Sequence, residues 1–244
     1  MSRKQSLSIR ARRAEYRAQQ KRRRAVIALS IAVALIAVAI IAGILLQQPA
    51  ITADEVVLPP TLESPPNAEG KAWGPADAPV LVEIFADFQC PFCARFAMDS
   101  GRQMVETYSG SGQVRVEYNH FAFIGPESRQ AAQAAECAGE QGKFWQYHDT
   151  LFANQRGENE GAFSDDALRA FAAALELDEA AFEQCLASAR YEDEVQADTA
   201  ASQERGVRST PTLFINEVKV EGALPFVDLQ ARIEAALAES GSGR

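Results

Sequence analysis

The chain has 244 residues, enough for one sizeable domain or two small ones, with a net charge of −9. That charge is unevenly spread: ten Lys or Arg and a single acid, Glu15, lie between Met1 and Arg24, which leaves 14 basic residues against 32 acids in the remainder. A body so acidic repels a phosphate backbone, so nucleic acid is excluded as its partner.

Residues 1–24 read as a basic cytoplasmic tail. The following "AVIALSIAVALIAVAIIAGILL", residues 25–46, carries no charge. At 1.5 Å of rise per residue it spans roughly 33 Å, enough to cross a hydrocarbon core about 30 Å thick. A cleaved signal peptide is the rival reading, but its apolar region is shorter and precedes a small-x-small cleavage site, where this chain has "QQPAITADE". A surface-lying amphipathic helix needs a polar face that this run lacks. The basic flank keeps the amino terminus cytoplasmic and places the body on the other side of the membrane. Residues 47–70 contain Pro49, Pro59, Pro60, Pro65 and Pro66 and read as an extended tether.

Residues 71–244 form the main domain. "APVLVEIFA" (78–86) is an apolar β-rich run, a predicted buried strand. A helical pattern runs from Pro91 to about Tyr108, and "QVRVEYNH" (113–120) alternates as a second strand. Ala-rich, acid-decorated helices fill about 126–205, with Ser164 and Asp178 as N-caps. Two short β runs flank Asn216-Glu217 as a hairpin, and "PFVDLQARIEAALAES" predicts a last amphipathic helix. The fold class is α/β, a small sheet domain split by an all-helical insertion and preceded by one transmembrane helix.

Chemistry concentrates in "DFQCPFCARF", residues 87–96. Zinc needs four Cys or His ligands, and His120 and His148 stand at no ligand spacing, so no metal is expected. A disulfide across two residues constrains little of the unfolded chain, which weakens a purely structural reading. At a helix start, backbone N–H groups and the aligned peptide dipoles favour a thiolate at the first cysteine. Cys90 is thus the exchanging sulfur, Cys93 the shielded resolving partner, and Pro91 suits the first helical position. Cys137 and Cys185 sit on Ala-rich helices and read as a structural disulfide; two separate buried thiols are the alternative, and an electron relay would need exposure.

Three stretches, "GPADAPVLVEIFADFQCPFCARF", "AAECAGEQGKFWQYHDTLF" and "GVRSTPTLFIN", resemble the DsbA-like thiol-disulfide oxidoreductases of the thioredoxin superfamily, in the membrane-anchored, BdbD-type branch. The resemblance implies a thioredoxin-like fold with a helical insertion and a cis-proline loop at Thr210-Pro211 facing the cysteine pair. With Pro91 and Phe92, that loop completes the expected active site. Related sequences carry a buried acid six residues before the first cysteine; here that position is Ile84, and neighbouring Glu83 points to the opposite face of the strand.

The expected activity is disulfide formation in extracytoplasmic proteins with thiols or disulfides, with no metal or organic cofactor. A redox partner, such as a membrane protein, resets the pair, and the chain meets the membrane through its N-terminal helix. A reductase or isomerase would use the same residues. A non-catalytic binding module with this fold is the rival of another class, although both cysteines are present. Phe92 supplies no positive charge to a thiolate and leaves the direction of electron flow open.

Overall fold

The computed structural model describes residues 22–23, 27, 29–40, 53–60 and 63–242. The chain divides into two compact units, Met1–Pro49 and Ala50–Arg244. In the first, residues 29–40 are helical with exposed side chains. Among the described residues no helix is long and apolar enough to cross a membrane. Residues 25, 26, 28 and 41–46 of the predicted span, and the predicted basic tail apart from Arg22 and Arg23, lie outside the described residues.

The second unit is built on a five-stranded sheet in the order β1-β3-β2-β4-β5. β1 is Ala72–Trp73 and β2 is Val80–Ala86. Helix α1 (Pro91–Phe96) follows, then a π turn (Ala97–Gly101), α2 (Arg102–Tyr108) and β3 (Val114–His120). β2 and β3 pair in parallel, with Ile84 opposite Tyr118, while β1 runs antiparallel to β3. Five helices then intervene: α3 (Pro126–Gly139), α4 (Phe144–Ala153), α5 (Asp165–Ala174), α6 (Glu179–Ala187) and α7 (Glu192–Glu204). β4 (Thr212–Ile215) returns antiparallel to β2 and turns through Asn216 into β5 (Val218–Glu221), before α8 (Phe226–Ser242) closes the unit.

Alternation along β2 decides which residues meet the main core. Val80, Val82, Ile84 and Ala86 point to one face, where Leu229 and Ile233 of α8 join them in the main cluster. On the other face Phe85, Phe121, Val207 and Phe214 make a small second cluster. Arg205 lies 4.1 Å from the centre of the Phe214 ring and forks onto the Glu83 carboxylate. Glu83 is therefore held away from the core.

Three local expectations changed. The helix predicted without a break from Pro91 to Tyr108 widens at Ala97–Gly101, where the Ser100 hydroxyl donates to the Leu224 carbonyl at 2.6 Å. Gly101 packs so close that a Cβ there would lie 3.0 Å from the Phe96 carbonyl oxygen. Ser164 does take the N-cap position of α5, but its side chain makes no capping bond, whereas Asp178 accepts from the Ala181 N–H at 3.0 Å. Nor is the described part of the predicted tether free of the domain. Val57 exchanges two hydrogen bonds with the Asn154 side chain, at 3.0 and 2.8 Å, and Val56 packs on the core.

Candidate active site

β2 carries the chain outward through Asp87, Phe88 and Gln89 to Cys90, the N-cap of α1, whose extended backbone (φ −73°, ψ 120°) turns into the helix at Pro91. Proline costs nothing there, because the first helical N–H has no intrahelical acceptor. The Cys90 carbonyl accepts from the N–H groups of Cys93 (3.0 Å) and Ala94 (3.1 Å), which starts the helix and puts Cys93 one turn inward. Cys90 is 5% exposed and Cys93 1%, and both are free thiols; Phe92 beside them is 53% exposed. Antiparallel pairing of β4 with β2 brings the segment before Thr212 across the helix start. The peptide bond Thr210-Pro211 is cis, and the Cys90 Sγ lies 3.3 Å from the Thr210 carbonyl oxygen. Cys90, Pro91, Phe92, Cys93, Thr210 and Pro211 thus meet at one place, although 120 residues separate its two halves.

The two thiols are held apart in acidity. A hydrogen bond from the Cys93 thiol brings Cys90 down to about 6; burial opposes this, while the Thr210 side chain and the N–H groups of Cys93 and Phe92 assist. Burial pushes Cys93 well above the usual thiol range, and the hydrogen bond to Cys90 and its charge push further the same way. The pair therefore consists of one nucleophilic, readily departing sulfur and one that stays protonated.

The approach to Cys90 is braced by residues the sequence reading did not single out. Buried Asp87 accepts from Ser128 (2.6 Å) and from the backbone N–H groups of Gln89 (2.9 Å), Phe123 (2.9 Å) and Ile124 (3.0 Å). Desolvation nonetheless leaves its carboxyl above the ordinary range. Gln89 donates to Ser128 at 2.8 Å and accepts from the Asn159 N–H, and the Gln155 side-chain amide donates to the carbonyls of Phe88 and, at 3.1 Å, Cys90. The bond from the Gln89 N–H back to Asp87 is a local Asx turn, and "DFQ" was the sequence signal for it. Ser128, Gln155 and Asn159 carry no such local pattern.

Elsewhere, Cys137 on α3 and Cys185 on α6 form a disulfide with Cα atoms 5.8 Å apart. His120 and His148 are buried in a cluster of rings around Tyr118, with centroids 5.3 and 4.9 Å from it. Among the described residues no three His, Cys, Asp or Glu converge as a metal site.

A family model described as "Thioredoxin" matches residues 67–235. The chain belongs to the thioredoxin family. The crystal structure of oxidised BdbD from Bacillus subtilis superposes on this thioredoxin-family chain with a TM-score of 0.64 at 24% identity, covering 73% of this chain and 98% of that one. A thioredoxin-like oxidoreductase from Silicibacter pomeroyi does so at 0.58 and 27% identity, covering 68% and 90%. In sequence, a probable disulfide bond formation protein D of Bacillus cereus is 29% identical over 60% of this chain and 69% of that protein. A Na(+)/H(+) antiporter NhaA of Salinispora tropica is 35% identical over 68% of this chain, yet the chain spans only 24% of that protein's length.

Proposed function

We propose that this DsbA-like chain is a membrane-tethered thiol-disulfide oxidoreductase that forms disulfides in extracytoplasmic proteins through Cys90 and Cys93. The observation that carries the reading is the Cys90 sulfur at the N-cap of α1, 3.3 Å from the Thr210 carbonyl oxygen of the cis-proline loop, with Cys93 buried one turn inward. A substrate thiolate attacks the Cys90 sulfur of the oxidised pair; the substrate–Cys90 bond forms, the Cys90–Cys93 bond breaks, and the electron pair leaves on Cys93. A second substrate thiolate attacks the substrate sulfur of that mixed disulfide. Cys90 departs as the thiolate, readily because its acidity is raised. The substrate has lost two electrons, and a partner disulfide takes them on when it reoxidises the pair. The exposed Phe92 and the edge at Thr210-Pro211 lie where an extended, apolar segment of substrate would rest.

Four considerations support the oxidising direction and the compartment. At pH 7 a thiol titrating near 6 is ionised about ten to one, which stabilises the reduced pair about tenfold, or some 30 mV, over one with an ordinary thiol. The Cys137–Cys185 disulfide belongs to an oxidising compartment, as does a body placed beyond an apolar segment with a basic flank. Bacillus relatives carry the name disulfide bond formation protein D. A reductase would use the same atoms with electrons flowing the other way, so the reduction potential against glutathione is the test: a value near about −270 mV would overturn the oxidase. Full exchange activity in Cys90→Ser would overturn every redox reading of the site.

A further inference from the structure

The leaving Cys93 sulfur poses a proton problem. It departs as a thiolate into a 1%-exposed position and must be protonated there, and the same proton must come off when Cys93 attacks a mixed disulfide during reoxidation. No carboxylate on β2 is placed to help: apolar Ile84 shares the lining of one cavity with Cys93, and Glu83 is bound to Arg205 on the other face of the sheet.

Behind Cys93 the fold leaves a cavity of about 80 Å³ with Cys93 and Ile84 in its wall. Its lining includes Trp73, Tyr118 and Trp145. Each of these residues also carries a buried polar atom, the two indole nitrogens and the Tyr118 hydroxyl, with no hydrogen-bond partner among the described residues. A buried polar group without a partner costs about 1–3 kcal/mol, so the meeting of three residues that carry one, together with His148 and Asp149, favours ordered water beside them. One water needs roughly 10–15 Å³ by this measure, so the space takes several. His148 and Asp149 line the same cavity, with Nδ1 2.7 Å from the Asp149 carboxylate; His148 is 6% exposed, whereas the Asp149 side chain is 31% exposed. The pair thus reaches from the cavity toward solvent.

We propose that this cavity binds a short chain of water molecules that carries protons between Cys93 and the His148–Asp149 pair. The inference rests on the redox reading above and assigns His148 and Asp149 as positioning residues for its proton step. On reduction of the disulfide, a proton passes from the His148–Asp149 pair through the water chain to the departing Cys93 sulfur, and the pair recovers one from solvent at the Asp149 side. On reoxidation the proton returns by the same route as Cys93 attacks the Cys90 mixed disulfide and the partner's thiolate leaves. The other titratable or charged groups in the lining are Tyr118, Glu63 and Arg102. His120, a ring away from Tyr118, is engaged with Glu136 at 2.8 Å.

The test mixes reduced full-length protein with oxidised glutathione and follows tryptophan fluorescence, since Trp73 and Trp145 line the cavity. The first phase, attack by Cys90, depends on glutathione concentration; the second, attack by Cys93 with loss of its proton, does not. His148→Gln is expected to slow the second phase at pH 7 by roughly tenfold and to flatten its pH profile, with the first phase unchanged. Asp149→Asn, at a partly exposed position that leaves the ring packing intact, slows it by roughly threefold, so the inference stays testable if His148→Gln fails to fold. A second phase unchanged in both rate and pH profile in these variants overturns the inference alone. Absence of the first phase in the wild type sinks the redox reading and this inference with it.

Discussion

Removing Cys93 should make Cys90 a weaker acid, because the hydrogen bond from the Cys93 thiol is the largest single influence holding Cys90 down at about 6. A hydrogen bond to a charged group contributes about 1.5–3 kcal/mol, and 1.36 kcal/mol is one pH unit, so Cys93→Ala should raise the Cys90 midpoint by about 1–2 units. The Thr210 side chain and the N–H groups of Phe92 and residue 93 remain, so the midpoint stays below that of a free thiol. The assay is thiolate absorbance near 240 nm together with the pH profile of iodoacetamide alkylation. In the wild type, alkylation of Cys90 rises through about pH 6 and levels off above pH 7, while buried Cys93 stays unreactive. The variant's plateau is reached later but is higher, because nucleophilicity grows with basicity at a Brønsted slope of about 0.4–0.5. A wild-type midpoint above pH 8, or a midpoint that falls in Cys93→Ala, would refute the assigned division between the two sulfurs.

Glu136 accepts from His120 and lies 3.3 Å from Lys71; burial works against its ionisation, but these partners hold its carboxyl below the ordinary value of 4.5. A depressed acid stabilises the fold above its unfolded value and loses that contribution as pH falls through the folded one. Urea midpoints should therefore drop below about pH 4.5 in the wild type, and Glu136→Gln should cost about 2 kcal/mol at pH 7 and flatten that acid limb. Replacing Cys137 and Cys185 by serine opens a loop with a sequence separation of 48 and should lower stability by about 4 kcal/mol under non-reducing denaturation, with Cys90 alkylation unchanged. Arg205→Ala loses the fork onto Glu83 and the stacking over Phe214, and should lower the urea midpoint by an amount corresponding to about 1–2 kcal/mol.

Local chemistry made much of this protein legible in its sequence. The apolar β-rich run "VLVEIFA" and the alternation in "VRVEYNH" predict β2 and β3, and the strand period of two sets the face each side chain takes. A cysteine before proline at a helix start already implies an acidic thiol, since the N–H groups that stabilise it belong to the next few residues. The hairpin at Asn216 and the cap at Asp178 are likewise short-range. The loop at Thr210-Pro211 was legible only through family resemblance, since its partner lies 120 residues away.

Tertiary structure decided what depends on distant residues sharing one space. The π turn at Ala97–Gly101 accompanies contacts with Leu224, and Gln155 reaches the Cys90 carbonyl from the helical insertion. Trp73, Ile84, Tyr118, Trp145 and His148 enclose the space behind Cys93 from β1, β2, β3 and α4. In the sequence each of them is an ordinary core residue. An unfilled volume and three unpaired polar atoms arise only when four elements pack together, and no window along the chain contains them.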